Sequence, residues 1–148
     1  CRIAGVELVI AGEGPARAAL EAQAQGAQVR FLGNVDGERL AGLRRGAAIA
    51  LVPSRSAETF GLACAEAMAA GLPVAASRVG ALAELLEPDA LVAPGDAQAL
   101  ARAIERLAGD REVGERNRER VAARCAPEVV AGTLAAIYDG HEHEPTNT

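Results

Sequence analysis

The stretch AIALVPSRSAETFGLACAEAMAAGLPVAA, residues 48–76, decides the fold. It contains two short apolar runs, at 48–52 and 73–76, and short continuous runs of this kind are typical of strands buried on both faces. Between them, residues 60–70 are almost entirely small and apolar and end at Gly71, which predicts a buried helix with a glycine stop. The stretch therefore predicts a strand, a helix and a second, parallel strand.

The same alternation extends in both directions along the chain. Further strands are predicted at 7–11, 28–32 and 89–93, and further helices at 15–25, 36–45, 81–86, 97–107, 111–123 and 127–138. Strands that alternate with helices at this spacing predict an α/β fold with a Rossmann-like, doubly wound parallel sheet. We expect one domain over residues 1–139 and a polar, disordered tail over residues 140–148.

Composition excludes several classes of protein. The 148 residues include 15 Arg, no Lys and 20 Asp or Glu, which gives a formal net charge of −5. With one Tyr, two Phe and no Trp, the chain lacks the basic patch and the stacking side chains that nucleic-acid binding needs. No apolar run reaches the roughly 20 residues of a membrane span, so we expect no membrane contact. The three widely spaced Cys fit neither a disulfide framework nor a zinc site, and they favour a reducing, cytoplasmic compartment.

Ligands of doubly wound sheets bind at the carboxyl ends of the strands. Glu58 lies in a loop at that edge, directly before the helix predicted at 60–70. The first turn of this helix offers free backbone N–H groups, which favour an anion. Glu66 is the only charge on the helix, so we expect a buried, inward carboxylate. A nucleotide linked to a sugar needs both features, because carboxylates accept hydrogen bonds from hydroxyls and helix N-termini bind phosphates.

Structural roles remain open for both carboxylates. Glu66 could form a structural salt bridge, and Glu58 could be a surface acid or a helix cap, because structural networks also hold carboxylates of this kind.

The spacing Glu58-x7-Glu66 resembles the E-x7-E signature of the retaining, GT-B-fold glycosyltransferases of the "group 1" family. The stretches that carry the resemblance are PSRSAETFGLACAEAMAAGLPV (53–74), LVIAGEGP (8–15), VRFLGNV (29–35) and LVAPGD (91–96). It covers about residues 6–139 and implies that the chain is the C-terminal, donor-binding half of a GT-B fold.

The resemblance also implies residue roles. Glu58 would contact the donor sugar near the reacting centre, as the catalytic residue, and Glu66 would hold the ribose hydroxyls of a nucleotide-diphosphate sugar. Sugar hydroxyls and diphosphate oxygens would meet backbone N–H groups of Phe60, Gly61 and Leu62. The loop along the base would contain Arg30, Phe31 and Gly33. No metal ion or cofactor of the protein's own is expected, because positive charge and backbone dipoles would stabilise the leaving group.

The chain departs from the family pattern in three ways. The family places an Arg and a Lys on a strand and loop upstream of residue 8, and this pair is missing from the chain. The N-terminal, acceptor-binding domain is missing as well, so the chain alone should be inactive. Ala81 follows Gly80 where the family usually has a second glycine, and a positive φ would strain it.

The preferred function is the donor-binding half of a retaining glycosyltransferase. The alternatives are a non-catalytic module that binds nucleotide sugars and a GT-B-fold nucleotide-sugar epimerase. The base, the sugar, the acceptor and the oligomeric state stay open at this point.

Overall fold

The computed structural model describes residues 1–141, in which the predicted elements are present with ends shifted by a few residues. The strands are β1 (Leu8–Ala11), β2 (Val29–Gly33), β3 (Ala50–Val52), β4 (Val74–Ser77) and β5 (Leu91–Val92). The helices are α1 (Arg17–Gln23), α2 (Gly37–Gly46), α3 (Leu62–Ala69), α4 (Leu82–Leu85), α5 (Ala97–Leu107), α6 (Arg111–Cys125) and α7 (Pro127–His141). A short 3-10 helix, Pro88–Ala90, takes the place of the first residues of the last predicted strand. Helix α7 continues two residues into the predicted tail, and residues 142–148 of that tail lie outside the described residues.

Every strand pair in the described chain is parallel, as expected for an α/β fold built from strand–helix–strand units. The strands form two sheets, however, where a single doubly wound sheet was expected. One sheet has the order β1-β2 and the other has the order β3-β4-β5. No strand of residues 1–141 pairs with the free edge of β1 or of β3, and an open cleft separates these two strands.

The hydrophobic core lies around the second sheet. Its largest fully buried side chains belong to α3, β4, α4 and the segment after α4: Met68, Leu82, Leu86, Val74 and Cys64. In contrast, α1 and α2 have no buried residue, and the side chains of β1 are half-buried or exposed. The first 46 residues therefore contribute very little to the core of the described chain.

Helix α6 fixes the turn that joins α3 to β4. Gly114 of α6 lies so close to this turn that a Cβ atom there would be 2.1 Å from the Gly71 carbonyl oxygen. Next to it, the buried Asn117 donates from Nδ2 to the Leu72 carbonyl oxygen at 2.9 Å. A glycine and a hydrogen-bonded amide thus let α6 approach the backbone of the turn and hold α3 in place.

By length and composition alone, the stretch Arg111–Tyr138 could cross a membrane. This finding differs from the expectation that the chain has no span. A single stretch of this kind is a weak indication, since α6, which forms its first half, carries many charges and packs on the α3–β4 turn. The second half, in α7, exposes large apolar side chains such as Val129, Val130 and Leu134.

Candidate functional site

The loop between β3 and α3 carries Glu58 and is held from two directions. The Glu58 side chain is half-buried and its Oε1 accepts a hydrogen bond from Ser54 Oγ at 2.6 Å. The Glu58 carbonyl oxygen accepts from the backbone N–H of Ala81 at 2.9 Å. The loops that follow β3 and β4 therefore meet at Glu58, as their predicted place at one sheet edge requires.

Gly80 makes this contact between the loops possible. Its φ is +47°, and a Cβ atom there would lie 2.3 Å from the Glu58 carbonyl oxygen and 2.8 Å from the Glu58 nitrogen. Any side chain at this position would collide with backbone. Ala81 adopts an ordinary helical conformation with φ of −59°, so the backbone requires no second glycine and the expected strain does not arise.

The N-terminus of α3 is open beside Glu58. Gly61 occupies the capping position with φ of +77°, and no side chain caps the helix. The backbone N–H groups of the first turn have no intrahelical partner and are available to an anion. Phe60 and Leu62, which flank the turn, are 52% and 62% exposed. The three residues predicted to offer N–H groups therefore lie together at the N-terminus of α3, with Gly61 buried between two exposed neighbours.

Glu66 is not the buried, inward carboxylate that its apolar helix suggested. Helix α3 buries one face only, and Glu66 is on the other face with its side chain 44% exposed. Its Oε2 forms an ion pair with Nη2 of Arg44, a residue of α2 whose side chain is 22% exposed. The expectation was wrong because small apolar residues on the second face, such as Ala63 and Ala69, are exposed in the described chain.

Cys64 lies on the buried face of α3, behind the Glu58 loop. Burial, with a smaller contribution from the negative charge of Glu58, raises the pKa of the Cys64 thiol to about 11. The thiol points to Met68, with 3.8 Å between the sulfur atoms. Because a thiol must ionise to act as a nucleophile, Cys64 serves packing and not chemistry.

The residues predicted to lie along a base are divided between two places. Gly33, with φ of +68°, ends β2 and receives a hydrogen bond on its carbonyl oxygen from the Gly12 N–H at 2.7 Å. Phe31 lies under the guanidinium of Arg17, 5.9 Å from the ring centroid. Arg30 is exposed and pairs with Glu7 at 2.5 Å, at the amino end of β1, so it lies away from the edge that bears Gly33.

The structure adds contacts that the sequence did not predict. Ser54 orients Glu58, Gly80 supports it, and Arg44 pairs with Glu66. Of these three residues, only Ser54 gave a signal in the sequence: it lies four residues before Glu58 in the same loop, close enough to suggest a hydrogen bond between the two side chains. Within residues 1–141, no group of three or more His, Cys, Asp or Glu side chains is placed to hold a metal ion.

Comparison with known proteins identifies the family. Residues 2–110 match the family described as "Glycosyl transferases group 1". The chain belongs to the group 1 glycosyltransferases. A relative of this group 1 domain is the GDP-mannose-dependent alpha-(1-6)-phosphatidylinositol dimannoside mannosyltransferase of Mycobacterium tuberculosis. The two are 42% identical over an alignment of 127 residues that covers 83% of this chain and 32% of the relative.

Solved structures give the same result for the fold of the group 1 domain. Sucrose-phosphate synthase from Thermosynechococcus elongatus is 36% identical, with a TM-score of 0.80 over 93% of this chain and 40% of that one. The Anabaena protein HepE, solved with UDP-glucose, has a TM-score of 0.74 at 24% identity, over 88% of this chain and 41% of that one, and supports the fold alone. The Rossmann-like, GT-B-type fold is therefore confirmed, and the group 1 domain spans one third to two fifths of the length of these proteins.

Proposed function

We propose that this group 1 domain binds the donor of a retaining glycosyltransferase, which transfers a sugar from a nucleoside-diphosphate sugar to an acceptor held by a separate N-terminal domain. The observation that carries the proposal is the single edge at which the Glu58 carboxylate meets the uncapped N-terminus of α3. Family membership supports glycosyl transfer, and the GDP-mannose dependence of the mycobacterial relative supports a nucleotide-sugar donor.

The diphosphate would bind at the N-terminus of α3. The free N–H groups of the first turn and the positive end of the helix dipole favour the negative charge that develops on a nucleoside-diphosphate leaving group. Phe60 and Leu62 are exposed on either side of the buried Gly61, and the donor would approach the turn past these two residues. Such preorganised dipoles need no metal ion or cofactor, and the proposed reaction uses neither.

The two carboxylates would hold the sugars at either end of the donor. Glu58, fixed by Ser54, would contact the transferred sugar near its reacting carbon. Glu66 has one oxygen on Arg44, which leaves Oε1 to accept hydrogen bonds from the ribose hydroxyls. We place the reaction in the cytoplasm, with retention of the anomeric configuration.

Binding and its dependence on Glu66 test the first half of the proposal. Thermal unfolding of the wild type, Glu66→Gln and Glu119→Gln would be followed with GDP, UDP, ADP and GDP-mannose. Glu119 is a matched control, since it is an exposed glutamate on α6. A ligand at ten times its Kd stabilises the folded state by about 1.4 kcal/mol. We expect one nucleotide to raise the melting temperature of the wild type and the control but much less that of Glu66→Gln. Equal shifts in all three proteins would place the ribose elsewhere.

Catalysis is tested on the full-length protein. We expect Glu58→Gln to lower turnover by about 100-fold or more while donor affinity changes little, because the loss falls on the transition state. The anomeric configuration of the product, read by NMR, should match that of the donor. Donor binding without transfer would favour the non-catalytic module, and inversion at a ring carbon of the donor sugar would identify an epimerase.

A further inference from the structure

A pair of charged side chains lies at the carboxyl ends of β1 and β2, apart from the Glu58 loop. Glu13 is in the loop after β1, and Arg17 begins α1 four residues later. Arg17 Nη1 donates to Glu13 Oε1, and the resulting ion pair is accessible, with 43% of the Glu13 side chain and 34% of the Arg17 side chain exposed. An exposed pair of this kind contributes little to stability, so its surroundings decide whether it has another use.

Gly33 lets the Glu13 carboxylate lie against the end of β2. A Cβ atom at Gly33 would be 2.7 Å from Glu13 Oε1 and 3.5 Å from Arg17 Nη1. Any side chain at this position would therefore displace the carboxylate. Because Gly33 has none, the ion pair and the carboxyl end of β2 form one continuous surface.

Three contacts hold the Arg17 guanidinium in place. Besides the bond to Glu13, its Nε donates to Glu21 Oε1 at 2.8 Å, and its carbon lies over the Phe31 ring, 5.9 Å from the centroid. Within residues 1–141, Arg17 Nη2 and Glu13 Oε2 have no hydrogen-bond partner. A guanidinium only donates and a carboxylate only accepts, so the pair offers a fixed donor beside free acceptor sites. Groups that are fixed in advance lose little entropy when a ligand binds.

The order of these groups matches the pairing edge of one nucleic-acid base. Along that edge guanine has an acceptor, O6, followed by two donors, N1–H and N2–H. Arg17 can donate to O6 while the Glu13 carboxylate accepts from both donors. Adenine, cytosine and uracil do not present this order in either direction. Uracil, for example, would turn its O2 acceptor to the negative carboxylate and leave both groups without a donor, which is costly.

We infer that Glu13 and Arg17 read the base of the donor and that this base is guanine. The inference rests on the proposed function, with the diphosphate at the N-terminus of α3 and the ribose at Glu66. Ligands of doubly wound sheets lie along the carboxyl ends of the strands. A nucleotide whose diphosphate lies beyond β3 can therefore place its base beyond β1 and β2. The ion pair between Glu66 and Arg44 supports this direction, since it joins α3 to the helix that follows β2.

Nucleotide affinities of the full-length protein test the inference. Dissociation constants would be measured by titration calorimetry for GDP, UDP, ADP and inosine diphosphate, whose base is guanine without the N2 amino group. We expect GDP to bind about 10-fold more tightly than each of the other three, because a base that lacks part of the matching edge loses hydrogen bonds to charged groups.

Two alanine variants show whether Glu13 contacts the base. Glu13→Ala should abolish the preference for GDP over inosine diphosphate, because the acceptor of the N2–H group is removed. Glu21→Ala is the matched control, since Glu21 is also an exposed glutamate bonded to Arg17 but lies one helical turn further along α1. We expect this control to keep a preference of about 10-fold.

Two results would overturn the inference. The first is binding of UDP or ADP as tight as that of GDP, and its loss in Glu66→Gln would show that the proposed donor site itself stands. The second is an equal loss of preference in Glu13→Ala and Glu21→Ala, which would show that Glu13 acts by holding Arg17 and does not touch the base. If no nucleoside diphosphate binds to the full-length protein, the proposed function fails and the inference fails with it.

Discussion

Replacement of Gly80 by alanine tests whether the contact between the two loops holds Glu58. The added Cβ would lie 2.3 Å from the Glu58 carbonyl oxygen, a distance at which backbone must move. A non-glycine residue at φ of +47° costs roughly 1–2 kcal/mol, and overpacking typically costs a further 1–3 kcal/mol. We therefore expect Gly80→Ala to lower the free energy of unfolding by about 2–5 kcal/mol, or to move the loop and weaken donor binding.

Gly95 offers a matched control for the backbone strain. Its φ is +81°, but a Cβ there would meet nothing within 4 Å. Gly95→Ala should therefore lower the free energy of unfolding only by the cost of a non-glycine residue at positive φ, roughly 1–2 kcal/mol. The free energies of unfolding of both variants are measured in denaturant, and their difference gives the cost of the contact between the added Cβ and the Glu58 backbone. Nucleotide affinity then shows whether Glu58 has moved. If the two variants lose the same stability and Gly80→Ala binds nucleotide normally, the contact between the loops does not position Glu58.

Three further predictions concern α3 and the helices around it. The ordinary pKa of a cysteine thiol is 9.0, and the folded state retains the Cys64 proton up to about pH 11. The free energy of unfolding of the wild type should therefore fall between these two pH values. In pH-dependent denaturation, Cys64→Ala should lack this part of the fall. Gly114→Ala should cost about 1–3 kcal/mol, since its Cβ would lie 2.1 Å from a backbone oxygen, whereas Gly132→Ala, with nothing within 4 Å, should gain about 0.5–1 kcal/mol in the same measurement. Arg44→Ala should change the free energy of unfolding by less than about 1 kcal/mol, because its partner Glu66 is exposed. The same substitution should weaken binding of a nucleoside diphosphate. It should not weaken binding of the 2′,3′-dideoxy analogue, which lacks the ribose hydroxyls that Glu66 would hold.

Much of the fold follows from the sequence because its signals are local. Short apolar runs and glycine stops place the strands and helices, and the Asp36 side chain caps α2 by accepting from the Arg39 N–H at 2.8 Å. The meeting of the loops after β3 and β4 follows from the parallel topology. These features depend on neighbouring residues or on a general rule of sheets.

The errors at the site concern surfaces that distant parts of the protein decide. The apolar composition of α3 could not reveal that only one of its faces is covered, and so Glu66 was expected inside. The placement of Arg30 beside Phe31 in one binding loop overlooked strand geometry, since successive residues of a strand point to opposite faces. Arg30 accordingly pairs with Glu7, while Phe31 packs against Arg17.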